Sequence, residues 1–142
     1  LANLGLQTVP DLDAMLGTCD IISLHVPSAA GTKGMVDAEF LAKLQPGAIL
    51  INASRGDVID EVALLAAMND KGIRAGLDVY ADEPSAGEGA FSSDLASHPN
   101  TCGTHHIGAS TDQAQNAVSD GVLDVIDAFA GGTVMNCVNG LG

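Results

Sequence analysis

Three side chains in this sequence could together carry acid, base and anion chemistry: Arg55, Glu83 and His106. A histidine whose charged form is favoured by a neighbouring carboxylate is a proton shuttle with a pKa that can be moved through neutrality. An arginine beside them offers a planar fork that matches a carboxylate with two parallel hydrogen bonds and can polarise an adjacent carbonyl. Such a set suits the reduction of a 2-keto acid. The arginine would hold the acid group, the histidine would give a proton to the ketone oxygen, and the hydride, which no side chain supplies, would come from a nicotinamide cofactor.

Each of the three residues follows an apolar run. Ala48 to Ile51, opened by the turn pair Pro46-Gly47, reads as a strand buried on both faces that ends at Asn52-Ala53-Ser54-Arg55. Ile73 to Val79 is a second run, ending in Tyr80-Ala81-Asp82-Glu83-Pro84, and Thr101 to Thr104 a shorter third, ending in His105-His106-Ile107-Gly108. In a parallel sheet all carboxyl ends lie on one edge, where open α/β folds place their ligands. The three polar groups are therefore expected to converge there.

The remaining elements follow from periodicity and caps. Leu1 to Val9 reads as the tail of a helix, a break at Gly5 and a short extended piece. Asp11 can cap a helix with Leu12, Met15 and Leu16 on one face; Asp20 to Val26 is a strand closed by Pro27; Asp37 caps a helix that turns Phe40, Leu41 and Leu44 inward. Asp60 can cap a helix to Lys71 with Val62, Leu65 and Met68 on one face, and Gly72 suits a left-handed stop. Ser85 to Pro99 reads as a long glycine- and serine-rich loop. From Ser110 or Thr111, residues Ala114, Ala117, Val118, Val122, Val125, Ile126 and Phe129 trace the apolar face of a long helix halted by Gly131-Gly132, after which residues 133–142 are expected to run away from it. Alternating strands and helices predict an α/β fold, a doubly wound parallel sheet with right-handed crossovers.

Composition sets the outer bounds. The chain of 142 residues is 46% hydrophobic but only 3% aromatic, so its core is built from Val, Ile, Leu and Ala. Eighteen acidic against five basic residues give a net charge of −13, which disfavours nucleic acid and anionic membrane surfaces as partners. Any anionic ligand has to be captured by a local basic group, and Arg55 is the better placed of two arginines. Cys19, Cys102 and Cys137 are odd in number and form no C-x-x-C pair, which points to a reducing, cytoplasmic setting without a disulfide framework. There is no G-x-G-x-x-G after a strand and no P-loop. With Leu1 in place of an initiator methionine, a nucleotide-binding half is expected upstream.

The sequence resembles a family, the D-isomer-specific 2-hydroxyacid dehydrogenases. The resemblance is carried by Asp20-Ile-Ile-Ser-Leu-His-Val-Pro27, Gly47-Ala-Ile-Leu-Ile-Asn-Ala-Ser-Arg-Gly-Asp-Val-Ile-Asp60, Gly76-Leu-Asp-Val-Tyr-Ala-Asp-Glu-Pro84 and His106-Ile-Gly-Ala-Ser-Thr111, in the family's order and spacing. It implies that residues 1–108 are the C-terminal half of a Rossmann-type NAD-binding domain and that 109–142 are a crossover helix and tail returning to a substrate domain outside this sequence. It implies NAD as cofactor, a small 2-hydroxy or 2-keto acid as substrate, and a homodimer or homotetramer. By the same likeness Arg55 binds the substrate carboxylate, Glu83 supports the histidine and His106 is the acid/base. Ala53, Ser54, Arg55, Asp78, His106, Ile107, Gly108 and Ala109 would lie on the nicotinamide side of NAD, and Val26 near its adenosine end. The last motif, continuing into Asp112-Gln113-Ala114-Gln115, is most similar to the branch of the family that oxidises 3-phosphoglycerate, and glyoxylate or hydroxypyruvate reduction is the neighbouring alternative. The pattern departs from the family at His105, where proline is usual; losing its fixed φ is expected to loosen the approach to His106.

Plainer readings stand beside these. Alone, Arg55 would be a solvated strand-end charge and Glu83-Pro84 a turn; their co-occurrence at successive strand ends is what argues for a site. His25 reads as a core or cofactor-edge histidine, and His98, before a proline, as solvent-facing. A metal site from His98, His105 and His106 is disfavoured because adjacent residues on an extended segment point opposite ways, and Ser54 lacks a G-x-S-x-G elbow for hydrolysis. A second function class is a binding protein, since relatives of this fold act as NAD-responsive corepressors. The 142 residues alone are expected to be catalytically silent, with an unpaired sheet edge.

Overall fold

The run that precedes Arg55 is a strand, and it is one of the two central strands of a parallel sheet. A computed structural model of the chain describes residues 5–84 and 89–137. By contacts the chain divides into two units, Leu1–His106 and Ile107–Gly142. In the first, β1 (Ile21–Leu24), β2 (Ile49–Asn52), β3 (Arg74–Leu77) and β4 (Thr101–Gly103) lie in the order β1-β2-β3-β4, every pair parallel. Leu24 pairs with Asn52, Asn52 with Leu77 and Leu77 with Gly103, so the four carboxyl ends are flush. The observed strands are shorter at their ends than the apolar runs suggested. The parallel α/β architecture is the one expected.

The connections are α2 (Ala38–Lys43), α3 (Glu61–Lys71) and the one-turn α4 (Asp94–Ser97), with α1 (Leu12–Leu16) ahead of β1. Side-chain caps start them as the sequence suggested: Asp11 accepts from Asp13 N–H, Asp37 from Phe40 N–H, and Asp60 from Val62 and Ala63 N–H. Each such cap contributes roughly 1 kcal/mol. Helix α3 stops at Gly72, which takes φ 67°, and the Lys71 ammonium donates to the carbonyls of Leu41, Ala42 and Leu44, closing the C-terminal end of α2. Helix α4 sits in the stretch read as a loop. Ser93 caps it, and its Leu95 is buried, a signal too short to register as periodicity. Residues 85–88 of that stretch lie outside the described residues, as do 1–4, where the helix tail was expected.

Leu16, Phe40, Leu41, Leu44, Leu64, Met68 and Leu95 from the helices join Ile22, Leu24, Leu50, Ala75 and Leu77 from the sheet in one apolar cluster. Burial of each large member stabilises by roughly 1.5–3 kcal/mol. The expectation that β2 is buried on both faces is corrected here: Leu50 and Asn52 are buried, whereas Ile49 and Ile51 are only half-buried, and on β1 Ile21 is exposed. In this unit the described helices pack their apolar residues against one face of the sheet. On two helices one residue of the expected face lies outside the core, while Met15 on α1 and Leu65 on α3 pack partly against it. On α3 it is Leu64 and Met68 that are buried while Val62 points outward at 78% exposure, and on α1 only Leu16 is fully buried while Leu12 is exposed.

The second unit contains α5 (Asp112–Ala130), capped by the Thr111 hydroxyl on Ala114 N–H and ended at Gly131, with Gly132 at φ 81°. Its apolar stripe is present, but Val118, Val122, Ile126 and Phe129 are exposed rather than buried. The tail does not run away at once. Thr133 N–H bonds back to the Ala128 carbonyl, and Val134 and Met135 line an apolar groove with Val125, Ile126 and Phe129. Among the described residues no helix is long and apolar enough to cross a membrane.

One close approach locks the connection after β2 to the one after β3. A Cβ on Gly56 would lie 2.1 Å from the carbonyl carbon and oxygen of Tyr80 and 2.6 Å from Ala81 N, so only a residue without a side chain lets these two backbones meet. Gly56→Ala is therefore expected to lower unfolding stability by about 3 kcal/mol, because the obstacle is backbone that cannot step aside. Gly31→Ala, at a position with open space around it, should stay within about 0.5 kcal/mol. Urea denaturation of the two variants measures the contrast, and equal midpoints would contradict it.

Candidate active site at the carboxyl edge of the sheet

Beyond Asn52 the chain turns sharply, and the turn is built by Asn52 itself. Its side-chain oxygen accepts from both Ser54 N–H (3.0 Å) and Ser54 O–H (2.7 Å), and its amide nitrogen donates to the Arg55 carbonyl (2.9 Å). This is an Asx turn with an extra clasp, the local competition with the strand ladder in which Asn side chains excel. Arg55 follows in extended conformation, exposed, with its guanidinium donating to the Ser54 carbonyl at 2.6 Å. A 3-10 turn over Gly56–Val58 then leads to Asp60 and α3.

The segment after β3 is held from both sides. Gly56 lies against the Tyr80 backbone, and Glu61, the first residue of α3, accepts from Ala81 N–H at 2.8 Å. The chain then reverses so that the Glu83 carboxylate turns back onto its own segment: one oxygen accepts from Tyr80 N–H (3.3 Å) and the other from His106 Nδ1 (2.7 Å). Glu83 and His106 are thus paired, as expected from sequence. Glu83 is half-buried and the His106 ring about half-exposed, which leaves the imidazole reachable by a small molecule.

His106 reaches that position because its backbone is fixed first. Its N–H donates to the Asp78 carbonyl at 2.7 Å, and it takes φ 55°, a left-handed conformation that is uncommon for a residue with a side chain. Thr104 supports the same crossing: its N–H donates to the Leu77 carbonyl (2.9 Å) and its hydroxyl to Asp78 Oδ1 (2.5 Å). With Nδ1 committed to Glu83, Nε2 is the nitrogen left to exchange a proton with a ligand. Arg55, Glu83 and His106 therefore hang from the ends of three strands that are neighbours in the sheet, β2, β3 and β4.

The other expected positions distribute as follows. Ala53 and Ser54 are in the turn before Arg55, and Asp78 is half-buried directly after β3. Val26 follows β1 and packs partly into the core cluster. Ile107, Gly108 and Ala109 open the second unit, where Ser110 N–H bonds to the Ile107 carbonyl and the Gln115 amide reaches the Ala109 carbonyl. Of the single histidines, the reading of His25 is narrowed and that of His98 corrected. His25 is exposed, hydrogen-bonded to Ser23 Oγ at 2.9 Å, because its position falls on the face of β1 that the helices leave uncovered, which removes the core alternative of its reading and not the cofactor-edge one. His98 is half-buried rather than solvent-facing, since its ring accepts from Asn100 N–H and meets Asn69 across from α3.

Asn52, Glu61 and Thr104 were not foreseen. For Asn52 a signal existed: an amide closing an apolar strand run two residues before a serine is the pattern of a side chain that folds onto its own turn. Glu61 and Thr104 act across 20 and 26 residues of sequence, and nothing local marks them.

The chain is similar in sequence and fold to known proteins. Residues 1–108 match the family model described as D-isomer specific 2-hydroxyacid dehydrogenase, NAD binding domain. The chain is 43% identical over 131 residues to glyoxylate/hydroxypyruvate reductase B of Enterobacter agglomerans, covering 91% of this chain and 39% of that protein. It is 41% identical over 140 residues to D-3-phosphoglycerate dehydrogenase of Mycobacterium tuberculosis, covering 97% of this chain and 25% of that one. Among solved structures, D-lactate dehydrogenase with NAD+ from Lactobacillus jensenii is similar with a TM-score of 0.76 and 32% identity over 89% of this chain and 41% of that one. The chain thus spans about two fifths or less of the length of these curated relatives.

Tyr80, which joins the Gly56 contact to the Glu83 turn, gives a reporter of the site's integrity. Its hydroxyl is packed where a side chain on Gly103 would be, and burial, with Glu61, Cys102 and Asp78 nearby, raises its pKa above the ordinary value of about 10. The folded state therefore holds this proton more tightly than the unfolded one. Its contribution to stability is full below pH about 10 and is lost as pH rises from there through the folded pKa. Tyr80 is the chain's single tyrosine, so absorbance at 295 nm reads it alone. The expected transition lies above that of the urea-unfolded chain; coincident transitions would contradict the packing.

Proposed function

Since the chain belongs to the D-isomer specific 2-hydroxyacid dehydrogenases, through their NAD-binding domain, we propose that the protein carrying it interconverts a D-2-hydroxy acid and its 2-keto acid with His106 as the acid/base. The observation that supports this most directly is the 2.7 Å pair between Glu83 and His106 at strand ends adjacent to the Arg55 turn. In the reducing direction the cofactor, when bound, supplies hydride to C2. His106 Nε2 gives its proton to the ketone oxygen, and Glu83 on Nδ1 stabilises the charged imidazole before transfer and holds the ring's orientation throughout. Arg55 takes the substrate carboxylate in its fork.

The residues present fit the nicotinamide end of NAD. Asp78, with Oδ1 held by Thr104, presents a carboxylate suited to carboxamide N–H groups, and the turn at Ala53 offers a small side chain beside it. The sequence contains no glycine-rich turn for the diphosphate, so the fit is to one half of the cofactor. In this reading residues 1–108 contribute that half of the cofactor domain and 109–142 lead to a substrate domain. For substrate we favour 3-phosphoglycerate, on the Ser110-Thr111 motif and the similarity to the mycobacterial dehydrogenase across nearly the whole chain. The 43% identity to a glyoxylate/hydroxypyruvate reductase supports hydroxypyruvate or glyoxylate as the second reading.

NADH oxidation by the full-length protein, followed at 340 nm across phosphohydroxypyruvate, hydroxypyruvate, glyoxylate and pyruvate, separates these. Phosphohydroxypyruvate is expected to give the highest kcat/KM, and preference for hydroxypyruvate or glyoxylate would select the second reading. His106→Ala should reduce turnover about 1000-fold with NADH binding retained. A mutant that oxidises NADH at the unmutated rate would remove His106 from the mechanism.

A further inference from the structure

Asn52 is the fully buried polar side chain among the described residues, at 0% exposure. In register it lies between Leu24 on β1 and Leu77 on β3, both buried, so the slot it fills is one that leucines fill on either side. An amide in an apolar slot is unfavourable unless its hydrogen bonds are met, and packing alone would be served by another leucine. All three hydrogen bonds of the Asn52 side chain go to the next turn, two to Ser54 and one to Arg55. The turn so fixed delivers Arg55 in extended conformation, and the next residue, Gly56, is stopped against the Tyr80 backbone. The Arg55 backbone is thereby bracketed by the amide on one side and a steric wall on the other.

We propose that Asn52 is a positioning residue for Arg55: it sets where the guanidinium stands at the carboxyl edge of the sheet and so governs capture of the substrate carboxylate. The inference rests on Arg55 being that carboxylate's anchor. It does not concern proton transfer at His106, which is held by a separate set of bonds to Asp78 and Glu83.

The test uses Asn52→Leu in the full-length protein, with Asn52→Ala as a second variant should leucine prove too large. Leucine matches the neighbouring slots, so the melting temperature should hold while kcat/KM for the preferred 2-keto acid falls on the order of 100-fold, mainly through KM. The pH profile of kcat should not move. In an Arg55→Ala background the same Asn52 substitution should cost less than about 3-fold, because the group it positions is gone. Equal losses in both backgrounds, or no loss with Arg55 present, would overturn the proposal. If the unmutated protein reduces no 2-keto acid, the catalytic reading has failed, and amide exchange then decides on Asn52 alone. Ser54 N–H should exchange roughly 10-fold faster in the variant with Leu50 and Leu77 unchanged; an unchanged Ser54 would refute the clasp.

Discussion

The contact on which the candidate site depends is a meeting of two backbones. At Gly56 the connection after β2 passes so close to the Tyr80–Ala81 peptide that no Cβ fits between them. Because both segments are also anchored in adjacent parallel strands, the contact converts two loops into one body. Glu61 extends it from the first turn of α3 by accepting from Ala81 N–H. A carboxylate at a helix N-terminus is favoured by the unpaired amides there, so Glu61 serves its own helix and the neighbouring loop together.

From that body the Glu83–His106 pair is assembled outward. Tyr80 N–H, held in place by the Gly56 contact, orients one Glu83 oxygen, and the other is then directed at His106. His106 arrives on a different strand and has to turn sharply to face it, which accounts for its positive φ. Such a conformation costs a side-chain-bearing residue roughly 1–2 kcal/mol, and it persists because the backbone bond to Asp78 and the ring bond to Glu83 both require it. Strain, carboxylate and imidazole therefore fall on one residue pair, the combination that separates a candidate site from an incidental surface ion pair.

Much of this was legible in the residues, for reasons that differ by level. The caps at Asp11, Asp37, Asp60 and Thr111 and the stop at Gly72 are local chemistry, and each lies where its residue type requires. The strand ends were legible because apolar runs stop abruptly at polar residues. Burial of the second sheet face was not, because apolar residues on a strand report that a partner suits them, not which partner this part of the chain supplies. The same holds for the α5 stripe, whose spacing was right and whose side chains are exposed. Val62 was misassigned because seven consecutive apolar residues, Val62 to Met68, leave the helix phase open; packing of Leu64 and Met68 fixed it. The clasp at Asn52 was within reach of sequence reasoning, whereas the long-range bonds of Glu61 and Thr104 exist only once the strands are side by side.

The departure at His105 can now be weighed physically. A proline there would restrain its own φ and push Thr104 toward extended backbone, preparing the chain for the turn into His106. In this chain the neighbours on either side are tied by other means. Thr104 is fixed through its N–H to Leu77 and its hydroxyl to Asp78, and His106 through its N–H to the Asp78 carbonyl and its ring to Glu83. His105 itself is exposed, and its freedom is bounded by two residues that have little. The rigidity that proline would build into one ring is here distributed over hydrogen bonds that converge on the end of β3. Asp78 thereby becomes the hinge post of the site, accepting through its carbonyl from His106 and through its carboxylate from Thr104. A change at Asp78 would consequently disturb His106 through the backbone as well as any ligand its carboxylate meets directly.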